Sequence, residues 1–107
     1  MQTQGRVHIF FDFLVAADPE QRKKAEEFIK NVDPRIVCTQ YNKNSPRGFD
    51  VALVVDLLVG AREDAYDHAI IVSADAGLAP AIQFIRNRLR KQVSVVARLE
   101  ELGLLSV

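Results

Sequence analysis

The sequence predicts an α/β fold in which a mainly parallel sheet lies between two layers of helices. Strand-like and helix-like segments alternate along the 107 residues, an order typical of parallel sheets with crossover helices. The strand-like segments are short, β-branched and apolar, as expected when helices cover both sides of the sheet. No internal repeat or low-complexity tract interrupts this order, and the length corresponds to one domain over residues 1–107.

The first half of the chain contains two predicted strands with one helix between them. Residues 7–11 are apolar and lead into Asp12, so the first strand ends in an acid. A helix begins after Asp18, because aspartate is a good N-cap and the proline that follows suits a first turn. Asp33, which precedes a proline, ends this helix. The second strand covers residues 36–41, and a polar loop rich in turn formers follows.

The second half contributes two helices, two strands and a short terminal turn or helix. Residues 49–61 have a strand-like composition but are too many for one strand, so we predict a largely buried helix. Asp50 is its expected N-cap, and Gly60 marks its expected end. The remaining predicted elements are a strand at 69–73, a helix at 78–91, a strand at 93–97 and the terminal turn or helix at 99–105.

Composition narrows the class of protein without assigning a function. The formal net charge is +0, so attraction to nucleic acid would have to come from a local basic patch. The single cysteine, Cys38, excludes an internal disulfide and suits a reducing compartment. No stretch resembles a signal peptide, and no apolar run is long enough to cross a bilayer. We therefore expect a cytoplasmic protein that does not bind membranes.

Four aspartates are the candidate functional residues. Asp12 ends the first strand and Asp75 follows the third, so they meet at one sheet edge if those strands are neighbours. Asp50 opens the buried helix, and Asp56 lies within it among apolar residues. Clustered carboxylates call for a cation, and their hard oxygen ligands suit Mg²⁺ or Mn²⁺. Such a site supports metal-assisted displacement at phosphorus.

Each aspartate also has a purely structural interpretation. Asp50 and Asp75 are suited to capping helices, and Asp12 is suited to a turn at the end of a strand. Asp56 is harder to explain in this way, because an acid buried without a partner would cost several kcal/mol. His8 and His68 are isolated in the sequence, so we expect neither to bind a metal.

Two stretches of the chain resemble a known family. Residues 47–58 read RGFDVALVVDLL and residues 66–75 read YDHAIIVSAD. These resemble the NYN domain in its LabA-like form, a branch of the PIN-like ribonuclease superfamily with the patterns Lys-Gly-x-Asp-Val-x-Leu-x-x-Asp and Ser-Gly-Asp-x-Asp-Phe. The resemblance covers most of the chain. It implies a PIN-like three-layer α/β/α sandwich and Mg²⁺- or Mn²⁺-dependent endoribonuclease activity. Carried over by position, Asp12, Asp50, Asp56 and Asp75 form the metal site, and Asp12, Asp50 and Asp75 are catalytic.

The chain also departs from the family pattern near these acids. Gly77 stands where the family has a second aspartate, and Arg47 replaces the lysine before the glycine. After Asp12 the family usually has Gly-x-Asn, whereas this chain has Phe-Leu-Val. Two functions therefore remain open, an endoribonuclease and a catalytically degenerate module that binds RNA or a protein partner. A flavodoxin-like or receiver-like domain is a third interpretation, although the chain lacks a glycine-rich phosphate loop.

Substrate contacts and self-association complete the predictions. We expect Arg47, Ser73 and Arg86 to contact an RNA substrate; Arg88 and Arg90 are better explained as a solvated helix face. The chain is small and ends in an apolar tail over residues 102–107, so we also predict a homo-oligomer, most simply a dimer. The alternative is that this tail packs on the chain's own core.

Overall fold

The computed structural model describes residues 5–42, 44, 48–73 and 76–105. Strands and helices alternate along the described chain, as the sequence predicts, with one additional short helix directly after the first strand. The strands are β1 (Val7–Phe11), β2 (Val37–Gln40), β3 (His68–Val72) and β4 (Gln92–Val96). The α-helices are α1 (Phe13–Ala17), α2 (Pro19–Asn31), α3 (Phe49–Arg62) and α4 (Ala79–Arg88), and 3₁₀ turns cover Ala76–Leu78 and Leu99–Leu105.

The four strands form one parallel sheet in the order β2-β1-β3-β4. β1 and β3 are neighbours along their whole length, from the pair Val7–His68 to the pair Phe11–Val72. The predicted adjacency of the first and third strands is therefore confirmed, and it brings the residues that follow Phe11 and Val72 to one edge of the sheet. The described helices are all too short or too polar to span a membrane.

Each face of the sheet carries its own apolar core, because successive strand residues point to opposite sides. Phe10 and Ile71 pack with α3 and α4 on one face. Ile9 and Ile70 pack with α1, α2 and the terminal 3₁₀ turn on the other face. The chain is thus a three-layer α/β/α structure, and the predicted fold class is confirmed. Leu102 lies in the second core, 8% exposed, so this residue of the apolar tail packs on its own chain.

The beginning of α3 corrects one prediction. Gly48, not Asp50, is the N-cap, and Asp50 lies within the first helical turn. Gly48 has φ 79°, a left-handed conformation that side chains disfavour, so the glycine supplies the turn that starts the helix. The predicted end was also too early: α3 continues through Gly60 to Arg62. A Cβ at Gly60 would lie 2.9 Å from the Tyr66 ring, so this glycine leaves space for Tyr66 to pack against the helix.

A group of charged side chains joins the segments at the amino end of the sheet. The backbone N–H of Arg6 donates to Asp67 Oδ2 at 2.7 Å, and its guanidinium pairs with both Asp67 and Asp64. Lys91 also pairs with Asp64. The hydrogen bonds that the Arg6 side chain and backbone donate lower the pKa of the Asp67 carboxyl group to about 2. These ion pairs connect the start of β1 with the segments that precede β3 and β4.

Candidate functional site

The carboxyl edge of the sheet places three polar side chains at the ends of adjacent strands. Asp12 follows β1, and its backbone N–H donates to the Val72 carbonyl at 3.1 Å. Tyr41 follows β2 and donates its N–H to the Phe11 carbonyl at 3.2 Å, while Ser73 follows β3. Backbone hydrogen bonds beyond the last paired residues of the strands therefore keep Tyr41, Asp12 and Ser73 in the register of the sheet.

Asp12 is the central acid of this edge, and both of its carboxylate oxygens accept a hydrogen bond. Oδ1 accepts from the Leu14 N–H at 2.8 Å and so caps α1, and Oδ2 accepts from the Ser73 hydroxyl at 2.6 Å. The side chain is only 2% exposed. Because a carboxylate oxygen has two lone pairs, each oxygen can still accept from a further ligand. Asp12 is therefore a rigid acid with remaining ligand capacity.

Asp56 is neither buried nor without a partner. Its side chain is exposed on α3, and its Oδ2 accepts from the Tyr41 hydroxyl at 2.7 Å. The cost expected for an unpartnered acid in an apolar helix therefore does not arise. Tyr41 is only 6% exposed, and burial together with the bond to Asp56 raises the pKa of its phenol above the ordinary value. This bond links Asp56 to the residue that lies beside Asp12.

The other predicted site residues that the structure describes are Asp50, Ser73 and Arg86, and each lies in a different environment. Asp50 is exposed in the first turn of α3, and Asp75 and Arg47 lie outside the described residues. Ser73 is 2% exposed and donates to Asp12. Arg86 lies on α4, where its Nη2 donates to the Val93 carbonyl at 2.6 Å. Since Val93 precedes the carboxyl end of β4 by three residues, Arg86 is anchored about 10 Å back from the acidic edge.

The donor atoms at this edge have the right chemistry for a hard divalent cation, because they are carboxylate and hydroxyl oxygens. Within residues 5–42, 44, 48–73 and 76–105, no three His, Cys, Asp or Glu side chains come close enough to hold a metal ion. Asp12, Asp50 and Asp56 therefore do not form a complete site by themselves. Asp75, the fourth predicted acid, follows Ser73 by two residues in the chain and lies outside the described residues.

Comparison with known protein families decides the identity of the fold. The family model described as NYN domain matches residues 1–103. The chain belongs to the NYN domain family. NYN domains are part of the PIN-like nuclease superfamily, whose members generally use divalent metals, so the family expectation agrees with the acidic edge. The LabA-like subgroup stays a prediction.

Two other comparisons add no information about function. Among solved structures, this NYN domain is similar to a chain described as a protein of unknown function, VPA0982 from Vibrio parahaemolyticus RIMD 2210633. The two share 19% identity with a TM-score of 0.46, over 89% of this chain and 83% of the other. The search of curated proteins found no match.

Two residues near the acids of the NYN domain were not singled out from the sequence. Tyr41 was assigned only to the second strand, although a tyrosine at a strand end, with the alternation of that strand, could have placed its hydroxyl near α3. Leu14 lies in the unpredicted helix α1, where its backbone N–H donates to the Asp12 carboxylate and the residue is 58% exposed.

Proposed function

We propose that this NYN domain is a divalent-metal-dependent endoribonuclease whose reaction centre is the carboxyl edge between β1 and β3. The observation that carries the proposal is the placement of Asp12. A buried acid at the junction of the two central strands, fixed by Leu14 and Ser73, is the kind of rigid ligand that a catalytic metal needs. The family assignment supplies the reaction class.

In this proposal the aspartates divide the work. Asp12, Asp50 and Asp75 hold one Mg²⁺ or Mn²⁺ ion, and Asp56 lines the wall of the site, where Tyr41 fixes its carboxylate. A divalent ion held by these aspartates would lower the pKa of a bound water and offset charge on the phosphate. Ser73 keeps Asp12 in position through its hydroxyl. Arg47 is the proposed phosphate contact near the site, and Arg86 contacts the RNA farther from the cleaved bond.

The experiment is a comparison of Asp75→Asn with wild type for Mn²⁺ binding by calorimetry and for cleavage of a labelled single-stranded RNA. We expect Asp75→Asn to abolish both, with thermal stability unchanged or raised, because one repulsive charge is removed. Asp18→Asn is the matched control, since Asp18 caps α2 through the Glu20 N–H and lies outside the proposed site. The proposal is wrong if wild type shows neither binding at millimolar Mn²⁺ nor cleavage.

A second function, a module that binds RNA or a protein partner without cleavage, is favoured by the segment after Asp12. There α1 replaces the family's usual polar residues and exposes Leu14, and Gly77 removes a further acid. This function predicts that wild type binds single-stranded RNA in EDTA with an affinity that Asp75→Asn does not change. Fluorescence polarisation measures that affinity, and detectable metal-dependent cleavage by wild type would exclude this alternative.

A further inference from the structure

One flank of helix α4 carries an exposed aromatic ring and an exposed cation. Ile85 faces the core of the α3–α4 layer, and the Arg86 side chain donates to a carbonyl of the edge strand β4. Phe84 and Arg88 are each two residues from Arg86, so they lie on the opposite side of the helix, towards α3. Phe84 and Arg88 are four residues apart and are therefore neighbours on this surface, which we name the α4 flank.

The phenyl ring of Phe84 is exposed without contributing to the core of its layer. It is 49% exposed, and it is the only aromatic among the exposed large apolar side chains of the described residues. Helix α4 obtains its core contacts from Ile82 and Ile85, which are 7% and 0% exposed. One exposed apolar side chain needs no functional explanation by itself, so the charges around the ring decide what it can bind.

The α4 flank is positively charged. Residues 79–88 contain two arginines and no acid, and the ion pairs among the described residues do not include Arg88. The acids within α3 lie away from this flank, because Asp50 is in the first turn and Asp56 is held at the end of β2. An aromatic ring beside a guanidinium group with no acid on its helix fits a ligand that is both planar and anionic, as a nucleotide is.

Helix α4 begins close to the proposed reaction centre. Ser73 follows β3 and donates to Asp12, and α4 starts at Ala79 after a short 3₁₀ turn. Phe84 and Arg88 lie about 8 Å and about 14 Å beyond Ala79 along the helix axis. An RNA strand that crosses the carboxyl edge and follows α4 would therefore meet the ring first and the guanidinium next.

We propose that the α4 flank is a binding subsite for the single-stranded RNA substrate, in which Phe84 stacks on a base and Arg88 contacts a phosphate. The subsite rests on the proposed function, because RNA is the substrate assigned there. Stacking on an exposed ring requires an unpaired base, so the subsite selects single strands over duplexes. The planar guanidinium of Arg88 can bond a phosphate through two N–H groups at once.

The charge of the α4 flank favours RNA over a protein partner as the occupant. A protein that docked on Phe84 through apolar contacts would have to supply an acid as well, to offset the charge of Arg88. Every nucleotide supplies a base and a phosphate together. Because every base has a π-face, the subsite binds RNA without reading its sequence.

RNA affinity in EDTA tests the subsite without metal or cleavage. Fluorescence polarisation with a labelled single-stranded RNA over a KCl series gives the Kd and its salt dependence. Phe84→Ala should weaken binding at least about 5-fold, the lower end of the loss expected for one stacked base. Phe84→Tyr should bind like wild type and Phe84→Leu like Phe84→Ala, because stacking needs the ring. Arg88→Gln should reduce the slope of log affinity against log salt by about 0.7, because one phosphate contact is lost.

Val37→Ala and Lys30→Gln are the matched controls, and neither should change the affinity. Val37 is exposed to a similar degree, at 54%, but lies on β2. Lys30 is in the last turn of α2, on the other face of the sheet, as Arg88 is in the last turn of α4. Wild-type affinity in Phe84→Ala or Phe84→Leu, equal losses in the variants and their controls, or no RNA binding by wild type would overturn the proposal.

Cleavage in Mn²⁺ separates a failure of the subsite from a failure of the nuclease. In the proposed nuclease, Phe84→Ala should raise KM at least about 5-fold with kcat unchanged, because it removes binding energy away from the cleaved bond. An unchanged KM in a Phe84→Ala protein that still cleaves would refute the subsite alone. If wild type does not cleave, but Phe84→Ala and Arg88→Gln lose affinity in EDTA, the nuclease is refuted and the subsite stands.

Discussion

Substitutions of Asp12 separate its structural role from its proposed metal ligation. The carboxylate accepts from the Leu14 N–H at 2.8 Å and from the Ser73 hydroxyl at 2.6 Å, and both bonds are buried or nearly so. Asp12→Asn keeps an oxygen for the Leu14 N–H, and its amide group can donate to the Ser73 oxygen once the hydroxyl turns. Asp12→Ala removes both acceptors.

The two variants should therefore differ in stability by a measurable amount. Asp12→Ala loses a helix cap, worth about 1 kcal/mol, and a buried hydrogen bond to Ser73, worth about 1 kcal/mol more. For a domain of this size, a loss of about 2 kcal/mol lowers Tm by about 8 °C. Asp12→Asn should cost less than about 1 kcal/mol, because both hydrogen bonds can be replaced.

The effects of the two variants on metal binding should not parallel their effects on stability. Both variants should lose Mn²⁺ binding, because neither keeps a charged ligand at the centre of the edge. Differential scanning calorimetry measures Tm, and isothermal titration measures Mn²⁺ affinity for wild type and both variants. An Asp12→Ala protein as stable as wild type would refute the capping argument. Wild-type metal affinity in Asp12→Asn would refute the ligand role.

Three further predictions concern stability alone. Burial raises the pKa of Tyr66 to about 12 from its ordinary 10, so stability should be intact below pH 10 and fall as pH rises towards 12. Tyr66→Phe should reduce this alkaline loss of stability in urea titrations. A variant with the same pH profile as wild type would contradict the prediction. Arg90 has a left-handed backbone, φ 58°, so Arg90→Gly should leave stability unchanged or raise it by up to about 1 kcal/mol. Gln83→Gly, in the interior of α4, should lower the stability by about 1 kcal/mol, and equal effects in thermal melts would refute the backbone argument. Arg6 lowers the pKa of Asp67 to about 2, so the stability from this pair is present above pH 3.8 and lost as pH falls towards 2. Asp67→Asn should be less stable than wild type at pH 6 and equally stable near pH 2. A difference in stability that persists in acid would count against the ion pair.

Most of the fold could be predicted from the sequence, because burial on both faces leaves a clear pattern. β1 and β3 are apolar except for one histidine each, and all four strands lie within one residue of their predicted bounds. Helix ends were less accurate, since they depend on backbone geometry that composition does not encode. Asp50 has the side chain of a cap, but Gly48 has the conformation. Helix α1 was missed because Asp12 caps it from a strand end, where a turn was the simpler expectation.

The candidate site was predictable in position but not in contacts. The sequence placed Asp12 at a strand end beside the third strand, and the structure has it there. It could not show that Tyr41 reaches Asp56, because that contact depends on where α3 packs relative to the end of β2. It also could not show that Arg86 is anchored on β4. Both contacts are set by tertiary packing, which no local sequence pattern predicts.

The surroundings of Ser73 favour a positioning role for this residue over the predicted contact with substrate. Its side chain is 2% exposed, and its hydroxyl donates to Asp12 across the junction of β3 and β1. A phosphate oxygen only accepts hydrogen bonds, so it could bond that hydroxyl's hydrogen only by displacing the Asp12 carboxylate. The serine at the start of the Ser-Gly-Asp pattern thus has a physical explanation in this chain: it joins the ends of the two central strands and fixes the direction of the Asp12 carboxylate. In the proposed nuclease, a serine in that role acts on the substrate only through Asp12.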